Sequence, residues 1–326
     1  MGESKAPFSL VECVDDATWD SLVASSREAN PFLMSSFVKS IGKSKSRRIL
    51  FEGDKAALGT IIFQAMQYGE DSANEFSLYQ GVFFPGIHDL NYQDDNERLR
   101  LLGALINSLD ELGNPIVLSL HPTVKDIRGL DWFYFQNSEC KLNATQKIQY
   151  TGEIRTDDFL DFSEYARSIR KVRLDEHKKS HQLGLKIVRG SDRIDHFMEL
   201  YQLTFNRQSI AVSDTTLSQV EDVIRGSNSL GSLDIAYSKS GTPLSSVFIL
   251  SDLNTDIYLF GATDPQYRKD FGSTRLILDA IERSFEGGKK VFDLCGMNSP
   301  KRGGYKASFN ARVVPYFEIE LVSKNC

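Results

Sequence analysis

One lysine stands in a stretch whose composition could support catalysis. Lys306 lies in the sequence GGYKASFN, shortly after Gly303 and Gly304 and between two segments with strand character. A cation fixed in a cleft can hold the negative charge that develops on a carbonyl oxygen when an amine attacks a thioester or ester, or it can hold a substrate phosphate. The two glycines would let the chain turn sharply and approach a ligand closely. Lys306 is therefore a candidate catalytic residue, and the alternative is a surface lysine on a β-turn.

Two further side chains near Lys306 could take part in the same chemistry. Asp293 lies on the preceding predicted strand, in VFDLCG. An attacking amine must lose a proton, which a carboxylate in a cleft can accept directly or through water. Asp293 is therefore either a base or amine-binding group, or a buried partner of Lys306 or Arg302 that fixes the loop. Tyr305 is a candidate hydrogen-bond donor to the carbonyl, with a role in the aromatic core as the alternative.

A second group of polar residues directly precedes a predicted helix. The segment ATDPQYRKDFGSTRL contains Tyr267, Arg268, Gly272, Ser273 and Arg275. The N–H groups at a helix N-terminus, together with the positive end of the helix dipole, suit a doubly charged anion. The two arginines add positive charge, and the Gly-Ser pair allows close approach. The segment predicts an anion-binding loop, and an ordinary capped helix is the alternative.

Three polar residues on predicted helices are candidates for substrate binding. Arg207 and Gln208 end a predicted helix over 193–209, where the guanidinium could bind an anionic acceptor through two hydrogen bonds. The alternative for Arg207 is a cation stabilised by the C-terminal end of the helix dipole. Arg170 lies in a predicted helix over 163–183 that carries six Lys/Arg and three Asp/Glu. This helix is the region that could contact RNA, and a solvated helix face is the alternative.

The histidines and cysteines do not indicate a metal site. Of five histidines, only His177 and His181 share one helical face, and the sequence places no obvious acidic ligand beside them. The four cysteines are scattered and form no C-x-x-C pair. We therefore expect a solvated helix face at the two histidines and no bound metal.

The bulk composition is that of an ordinary globular protein. The chain has 326 residues, 41% of them hydrophobic and 25% charged, with a formal net charge of −6. This net charge argues against DNA binding by simple attraction. No signal peptide and no apolar run of membrane-spanning length is evident, so we expect a cytoplasmic location. Fingerprints of dinucleotide-binding folds, phosphate loops, zinc proteases and α/β-hydrolases are missing as well.

Hydrophobic periodicity defines the elements of the second half most clearly. Apolar-rich segments separated by turn residues predict strands, and three- and four-residue apolar spacing predicts helices. The predicted strands are 232–238, 243–251, 256–262, 290–296 and 313–321, with a helix from about 273 to 285. The helix 193–209 has an apolar face formed by Ile194, Phe197, Leu200, Tyr201 and Phe205.

The first half repeats this order more loosely. The predicted strands are 47–53, 57–68, 74–84 and 115–120, with an amphipathic helix at 94–113. The order of three strands, a helix and a strand therefore occurs twice, which predicts an internal structural duplication. A strand meander followed by a crossover helix and a parallel strand predicts an α/β sandwich rather than a doubly wound sheet. We predict one domain over 1–157 and a second over 158–326 that carries the site.

Three segments carry a resemblance to a known family. RSIRKVRLDEHKKSHQLGLKI resembles an Arg-rich helix that leads into a strand, and FMELYQLTFNRQSI a helix that ends in an arginine. GGKKVFDLCGMNSPKRGGYKASFNA resembles an F-D-x-x-G motif followed by a closing aromatic-Lys-x-x-F motif. Together they resemble the FemABX-like branch of the GNAT superfamily, over residues 160–326. The superfamily's Q/R-x-x-G-x-G/A signature is matched in part: Arg268 fits, but Phe271 and Ser273 stand at the small-residue positions.

The resemblance implies both a fold and an activity. The fold is α/β, with two tandem GNAT-like domains that each have a mixed, mostly antiparallel sheet flanked by helices. In such an acyltransferase Lys306 would lie in the acyl-transfer site, the loop 267–275 would hold the donor, and Arg207 would anchor the acceptor. The donor would be acyl-CoA, such as acetyl-CoA, used as a co-substrate without a permanently bound cofactor.

The acceptor would be a primary amine of an amino sugar, a nucleotide-linked sugar or a cell-envelope precursor. No serine or cysteine stands in a nucleophile context, and Cys295 is interpreted as a small strand residue, so we expect direct attack without a covalent enzyme intermediate. One alternative is aminoacyl transfer from aminoacyl-tRNA to a peptidoglycan precursor. The other, suggested by Phe271, is a GNAT pair that has lost catalysis and serves as a binding module. The oligomeric state is not indicated.

Overall fold

The computed structural model describes most of the chain, in ten segments. These are residues 9–12, 15–41, 46–52, 57–63, 79, 81–85, 92–109, 116–136, 142–207 and 212–323. The chain divides into two compact units, residues 1–149 with 315–326, and residues 150–314. The candidate site residues lie in the second unit.

The first unit has an antiparallel three-stranded sheet and a set of helices. Its elements are β1 (Ser9–Glu12), α1 (Asp16–Ala24), α2 (Ser35–Ser40), β2 (Ser46–Glu52), β3 (Ala57–Phe63), α3 (Tyr92–Leu109), β4 (Ile116–Ser119) and α4 (Arg128–Gln136). The strands pair in the order β1-β2-β3, and Leu102 and Leu105 of α3 pack into the core beside Phe51. The predicted strand 74–84 lies mostly outside the described residues, although Phe83 forms a bridge with Gly59.

The second unit contains most of the described helices and strands. The strand β5 (Leu142–Arg155) leads into it and β11 (Arg312–Ser323) leads out. Between them come α5 (Phe162–Ser168), α6 (Lys171–Gln182), β6 (Lys186–Arg189), α7 (Ile194–Asn206), α8 (Asp214–Gly226), β7 (Gly231–Tyr237), β8 (Pro243–Ser251), β9 (Thr255–Thr263), α9 (Gly272–Glu286), β10 (Val291–Asp293) and α10 (Pro300–Ala307). The sequence pattern missed α8, whose N-cap is Ser213.

The strands of the second unit pair in the order β5-β10-β9-β8-β7-β6. Strands β9 and β10 run parallel and are joined by the crossover helix α9, while the other pairs are antiparallel. The meander β7-β8-β9 followed by a helix and a parallel strand is the order that the sequence predicted. The α/β class with a mixed, mostly antiparallel sheet is therefore confirmed.

Two helices cover opposite faces of this sheet because side chains alternate along each strand. Val247 and Ile249 of β8 pack in one core with Leu276 and Ile277 of α9. Phe248 points to the other face, where it stacks on Phe260. Phe260 in turn contacts Phe197 of α7. The predicted apolar face of α7 is confirmed, since Ile194, Phe197, Leu200 and Tyr201 are all buried.

The single basic helix predicted over 163–183 is wrong, because the chain breaks between α5 and α6. Ile169 adopts an extended conformation and is buried. The N–H of Arg170 donates to the carbonyl oxygen of Ser308, and the Tyr165 hydroxyl donates to that of Phe309 at 2.6 Å. These tertiary hydrogen bonds and the burial of Ile169 replace the helical hydrogen bonds that a continuous helix would have made.

The sharp turn predicted at Gly303 and Gly304 is also wrong. Both glycines lie inside α10, which begins at Pro300, a residue well suited to the first helical turn. Gly303 is required for packing, since a Cβ there would overlap the carbonyl oxygen of Met297. Gly304 faces open space, because a Cβ there would meet no heavy atom within 4 Å. The lysine between the two strands is therefore presented by a helix and not by a β-turn.

The division into domains at 157/158 stays a prediction. Among the described residues, no helix is both long and apolar enough to span a membrane.

Candidate functional site

The ammonium group of Lys306 is anchored to the turn that follows β10. Its Nζ donates to the carbonyl oxygens of Cys295 at 3.2 Å and Gly296 at 3.1 Å. An ammonium has three hydrogens, so one remains for a ligand beyond these two acceptors. Burial lowers the pKa of Lys306, and the charge of Asp293 acts in the opposite direction. The side chain is thus a positioned, partly desolvated cation.

Asp293 holds the turn to which Lys306 is anchored. This carboxylate, at the end of β10, is 3% exposed. Its Oδ1 accepts hydrogen bonds from the N–H of Cys295 at 2.6 Å and from the hydroxyl of Thr151. Both roles that the sequence left open for Asp293 remain predictions. The geometry shows how its charge lies close to Lys306 while its hydrogen bonds order the 293–296 turn.

Cys295 is not placed as a nucleophile. The residue is buried and has φ of 56°, so it occupies the left-handed region that L side chains seldom adopt. Burial raises the pKa of its thiol well above the usual range, and the charge of Asp293 adds to that effect. A thiol that stays protonated is a weak nucleophile. Its conformation lets the carbonyl groups of Cys295 and Gly296 point toward Lys306.

Tyr258 is a member of this site that the sequence reasoning missed. The Nζ of Lys306 lies 5.6 Å from the centre of the Tyr258 ring, which is within range of a cation–π contact. Burial raises the pKa of the phenol, so Tyr258 stays a hydrogen-bond donor at neutral pH. The signal in the sequence was Gly261, three residues after Tyr258 on β9. The Tyr258 phenol occupies the space that a Cβ at Gly261 would fill.

Tyr305 connects the helix of Lys306 to the first turn of α9. Its hydroxyl lies 3.1 Å from Oγ1 of Thr274 and 3.4 Å from Oγ of Ser273. The guanidinium of Arg173 stacks over the Tyr305 ring at 4.8 Å, and Glu176 accepts a 2.7 Å hydrogen bond from Thr274. A polar network from α6 therefore fixes both α10 and the start of α9.

The N-terminus of α9 presents uncapped N–H groups. Its N-cap residue, Phe271, provides no side-chain hydrogen bond. The N–H groups of Gly272, Ser273 and Thr274 have no partner among the described residues, whereas that of Arg275 bonds to the Phe271 carbonyl. Such groups at the positive end of a helix are suited to an anion.

Phe271, which stands at the first glycine position of the signature, has a backbone conformation that glycine adopts readily. With φ of 60° and ψ of 25°, it lies in the left-handed region favoured by glycine. The partial signature therefore differs in side chain but retains a glycine-like backbone. Position 272 requires glycine because it packs against β8. A Cβ there would lie 2.9 Å from Oγ of Ser245.

The other predicted donor-binding residues differ in their exposure and in their contacts near the start of α9. Tyr267 and Arg268 lie in a short 3₁₀ turn, with the side chain of Tyr267 half-buried and that of Arg268 exposed. Arg275 is engaged elsewhere, because its Nε donates to Oδ2 of Asp279 at 2.6 Å. Among the predicted residues, the structure brings Ser273 next to Tyr305. The role of each in donor binding stays a prediction.

The predicted substrate-binding residues are at the surface. Arg207 follows the last residue of α7 and is exposed. Gln208 lies outside the described residues. Arg170 is exposed at the start of α6, with its backbone bonded to Ser308 in the segment that follows Lys306. Their contact with a substrate stays a prediction.

A comparison with protein families matches a large part of the second unit. Residues 163–307 match the family model described as "Acetyltransferase (GNAT) domain". The comparison with curated proteins gave no match.

Solved structures extend the likeness to the whole chain. The structure of FemX has a TM-score of 0.69 at 12% identity, with 96% of each chain covered. L-PGS from Bacillus licheniformis has a TM-score of 0.57 at 9% identity, over 96% of this chain and 93% of that one. A tandem GNAT protein from the clavulanic acid biosynthesis pathway has a TM-score of 0.53 at 8% identity, over 97% and 98%. The family match over residues 163–307 confirms the resemblance and the transferase class that the sequence motifs indicated, and the solved structures confirm the fold.

Proposed function

Because residues 163–307 match a GNAT domain within a FemX-like fold, we propose that this protein is an N-acyltransferase. It moves an acyl group from acyl-CoA to a primary amine by direct attack. The acceptor amine belongs to an amino sugar, a nucleotide-linked sugar or a cell-envelope precursor. The observation that carries the proposal is the anchoring of Lys306 by two carbonyl groups, on a helix tied to the start of α9.

Lys306 stabilises the charge that develops in the reaction. When the amine nitrogen attacks the thioester carbon, the carbonyl oxygen becomes negative before the C–S bond breaks and the CoA thiolate leaves. The remaining hydrogen of the Lys306 ammonium can be donated to that oxygen. Since the Cys295 and Gly296 carbonyls already hold the group, little reorganisation is needed as the charge appears.

The start of α9 binds the pyrophosphate of the donor. Two observations support this assignment. The N–H groups of Gly272, Ser273 and Thr274 have no hydrogen-bond partner among the described residues, and the backbone at Phe271 has a glycine-like conformation. Exposed Arg268 lies within the preceding turn and adds positive charge. Arg275 can join only by exchanging Asp279 for a phosphate.

The transfer proceeds without an acyl-enzyme. Cys295 is kept protonated by burial, so the substrate amine is the nucleophile. The amine loses its proton to Asp293, directly or through water, and the departing thiolate takes up a proton. Tyr258 is proposed as a hydrogen-bond donor beside Lys306, because its phenol stays protonated at neutral pH. Arg207 and Arg170 anchor an anionic part of the acceptor.

A second donor class is favoured by one observation on α6. Glu176, which the sequence places among the lysines, turns inward to Arg173 and Thr274. Apart from Asp175, the exposed charged side chains over 167–182 are therefore basic, namely Arg167, Arg170, Lys171, Lys178 and Lys179. Such a surface supports contact with the phosphates of an aminoacyl-tRNA. The alternative function is aminoacyl transfer to a peptidoglycan precursor.

The first experiment is a thermal-shift titration with acetyl-CoA, free CoA and bulk aminoacyl-tRNA, at low and at high salt. A ligand that binds only the folded state raises the melting temperature once its concentration exceeds Kd. Stabilisation by CoA species, weakened by Arg268→Ala, supports acyl-CoA as donor. Thiol release with a panel of primary amines then identifies the acceptor class.

Two other outcomes would favour a different function. A response to tRNA alone that fades with salt would favour the aminoacyl alternative. A protein that responds to none of the three ligands, and releases no CoA thiol with any amine, would contradict both transferase hypotheses and favour a binding module.

A further inference from the structure

The helices α6 and α9 bring together three side chains that can each bind a metal ion. His177 and His181 lie one helical turn apart on α6, with ring centres 4.7 Å apart. Asp279 of α9 faces them, and its Oδ1 lies 3.1 Å from Nε2 of His177. One ligand atom from each of the three residues falls within 4.8 Å of the other two. The sequence showed only the two histidines and no acidic partner.

The spacing of these atoms fits a first-row divalent ion. Zinc binds imidazole nitrogen and carboxylate oxygen at about 2.0–2.2 Å in tetrahedral sites. Tetrahedral ligands at that distance are about 3.3 Å from one another. The His177–Asp279 separation of 3.1 Å is close to this value, and a nitrogen of the exposed His181 lies within 4.8 Å of both atoms. Two nitrogens and one carboxylate oxygen favour zinc-like ions over Mg²⁺ and Ca²⁺, which prefer oxygen ligands alone.

The surroundings of the cluster favour a bound ion in two ways. Asp279 is 8% exposed, and its second oxygen accepts from Nε of Arg275 at 2.6 Å. An outer hydrogen bond of this kind orients a metal-binding carboxylate. His181 is exposed, so an ion can enter and a water molecule can complete its coordination. The positive charge of Arg275 opposes the ion, but its guanidinium is directed to the far oxygen of the carboxylate.

We propose that His177, His181 and Asp279 form a binding site for a zinc-class divalent cation, completed by water. The ion links α6 to α9 across the interface that also holds Arg173, Glu176 and Thr274. It takes no part in the acyl-transfer chemistry, and the site exists whether or not the proposed donor and acceptor are right.

The test uses the purified full chain after removal of metal by a chelator. Zn²⁺ binding is measured by calorimetry, and Co²⁺ binding by its visible absorption. Wild type should show one saturable site with the spectrum of nitrogen and oxygen ligands. Thiolate ligands, which the cysteines outside the described residues could supply, would instead give an intense near-ultraviolet band.

Variants of the cluster separate a built site from adventitious binding. His181→Ala removes an exposed ligand with little risk to folding, and it should weaken Zn²⁺ binding by at least about tenfold. Asp279→Asn should do the same by removing the negative charge. His196→Ala is the matched control, because that histidine lies apart from the cluster and bonds to the Tyr237 hydroxyl. Equal Zn²⁺ affinity in wild type and His181→Ala, or no saturable binding in wild type, would overturn the proposal.

Discussion

The Tyr305 hydroxyl lies 3.1 Å from Oγ1 of Thr274, and this contact ties the helix of Lys306 to the first turn of α9. The two structures proposed to act on one donor, a positioned cation and an anion-binding helix start, are thereby parts of one network. Arg173 and Glu176 of α6 complete it. A change at either helix is therefore expected to affect the other.

Lys306 is expected to be more important for turnover than for stability. Lys306→Met should lower turnover by about a hundredfold or more, the size of effect seen when one donor to a developing oxyanion is removed. Its stability should equal or exceed that of wild type, because a partly desolvated ammonium is costly to bury. Thiol-release assays and urea unfolding measure the two quantities. Lys186→Met, an exposed lysine on β6 outside the proposed sites, is the control and should change neither. Full activity in Lys306→Met would rule out this lysine as the charge-stabilising group.

The two adjacent glycines of α10 are expected to respond in opposite directions to the same substitution. Gly303→Ala places a methyl group against the Met297 carbonyl, and the clash should cost about 1–3 kcal/mol. Gly304→Ala meets no atom within 4 Å, so the higher helix propensity of alanine should stabilise the protein by about 0.5–1 kcal/mol. Urea unfolding of both variants provides the test. Shifts of the same sign would show that α10 is not packed in this way.

Phe271 should reverse the usual order of alanine and glycine. At an ordinary helical position glycine is the less stable of the two, but at φ of 60° a side chain is strained. Phe271→Gly should therefore be more stable than Phe271→Ala by about 1 kcal/mol. Comparing the two small residues removes the contribution of the lost phenyl ring, which both variants share. If alanine is the better tolerated residue in denaturant unfolding, the left-handed conformation is incorrect.

His121 should make the protein sensitive to mild acid. Burial lowers the pKa of His121 from the usual 6.5 to about 3, and the charge of Arg27 adds to this effect. Between these values the unfolded chain binds a proton that the folded chain does not. The contribution to stability is therefore lost as the pH falls below about 6.5, at about 1.4 kcal/mol per pH unit.

The measurement compares wild type with His121→Asn, which lacks the titrating ring. The loss of unfolding free energy between pH 7 and pH 5 should be smaller in the variant by about 2 kcal/mol. The carboxylates titrate in both proteins and cancel in the comparison. Parallel stability curves for the two proteins would mean that the imidazole is accessible to protons in the folded state.

Local sequence patterns were enough to predict the order β7-β8-β9-α9-β10 in the second unit. The strands β7, β8 and β9 are short, largely apolar segments bounded by turn residues, and α9 repeats apolar residues every three or four positions. These patterns depend on neighbours along the chain, and the parallel pairing of β9 with β10 follows from the connecting helix. The three family motifs likewise lie within short, continuous segments.

Other features of the site could not be inferred in that way. Tyr258 joins Lys306 through the packing of β9 beside α10, and the break at Ile169 depends on Ser308 and Phe309, far along the chain. The GGYK segment looked like a turn because glycine is a weak helix former, yet contacts with Met297 and α9 hold it as a helix. Tertiary interactions outweighed the local preference.

The amino-acid sequence alone was sufficient for the order β7-β8-β9-α9-β10, for the GNAT-like fold of the second half and for the selection of Lys306 as a candidate. Each of these is encoded in residues close together along the chain. The folded structure was needed to show that Lys306 is anchored by the carbonyls of Cys295 and Gly296, and that Asp279 meets His177 and His181. Those contacts join residues about ten to a hundred positions apart, and distances of that kind are set by how helices pack on a sheet.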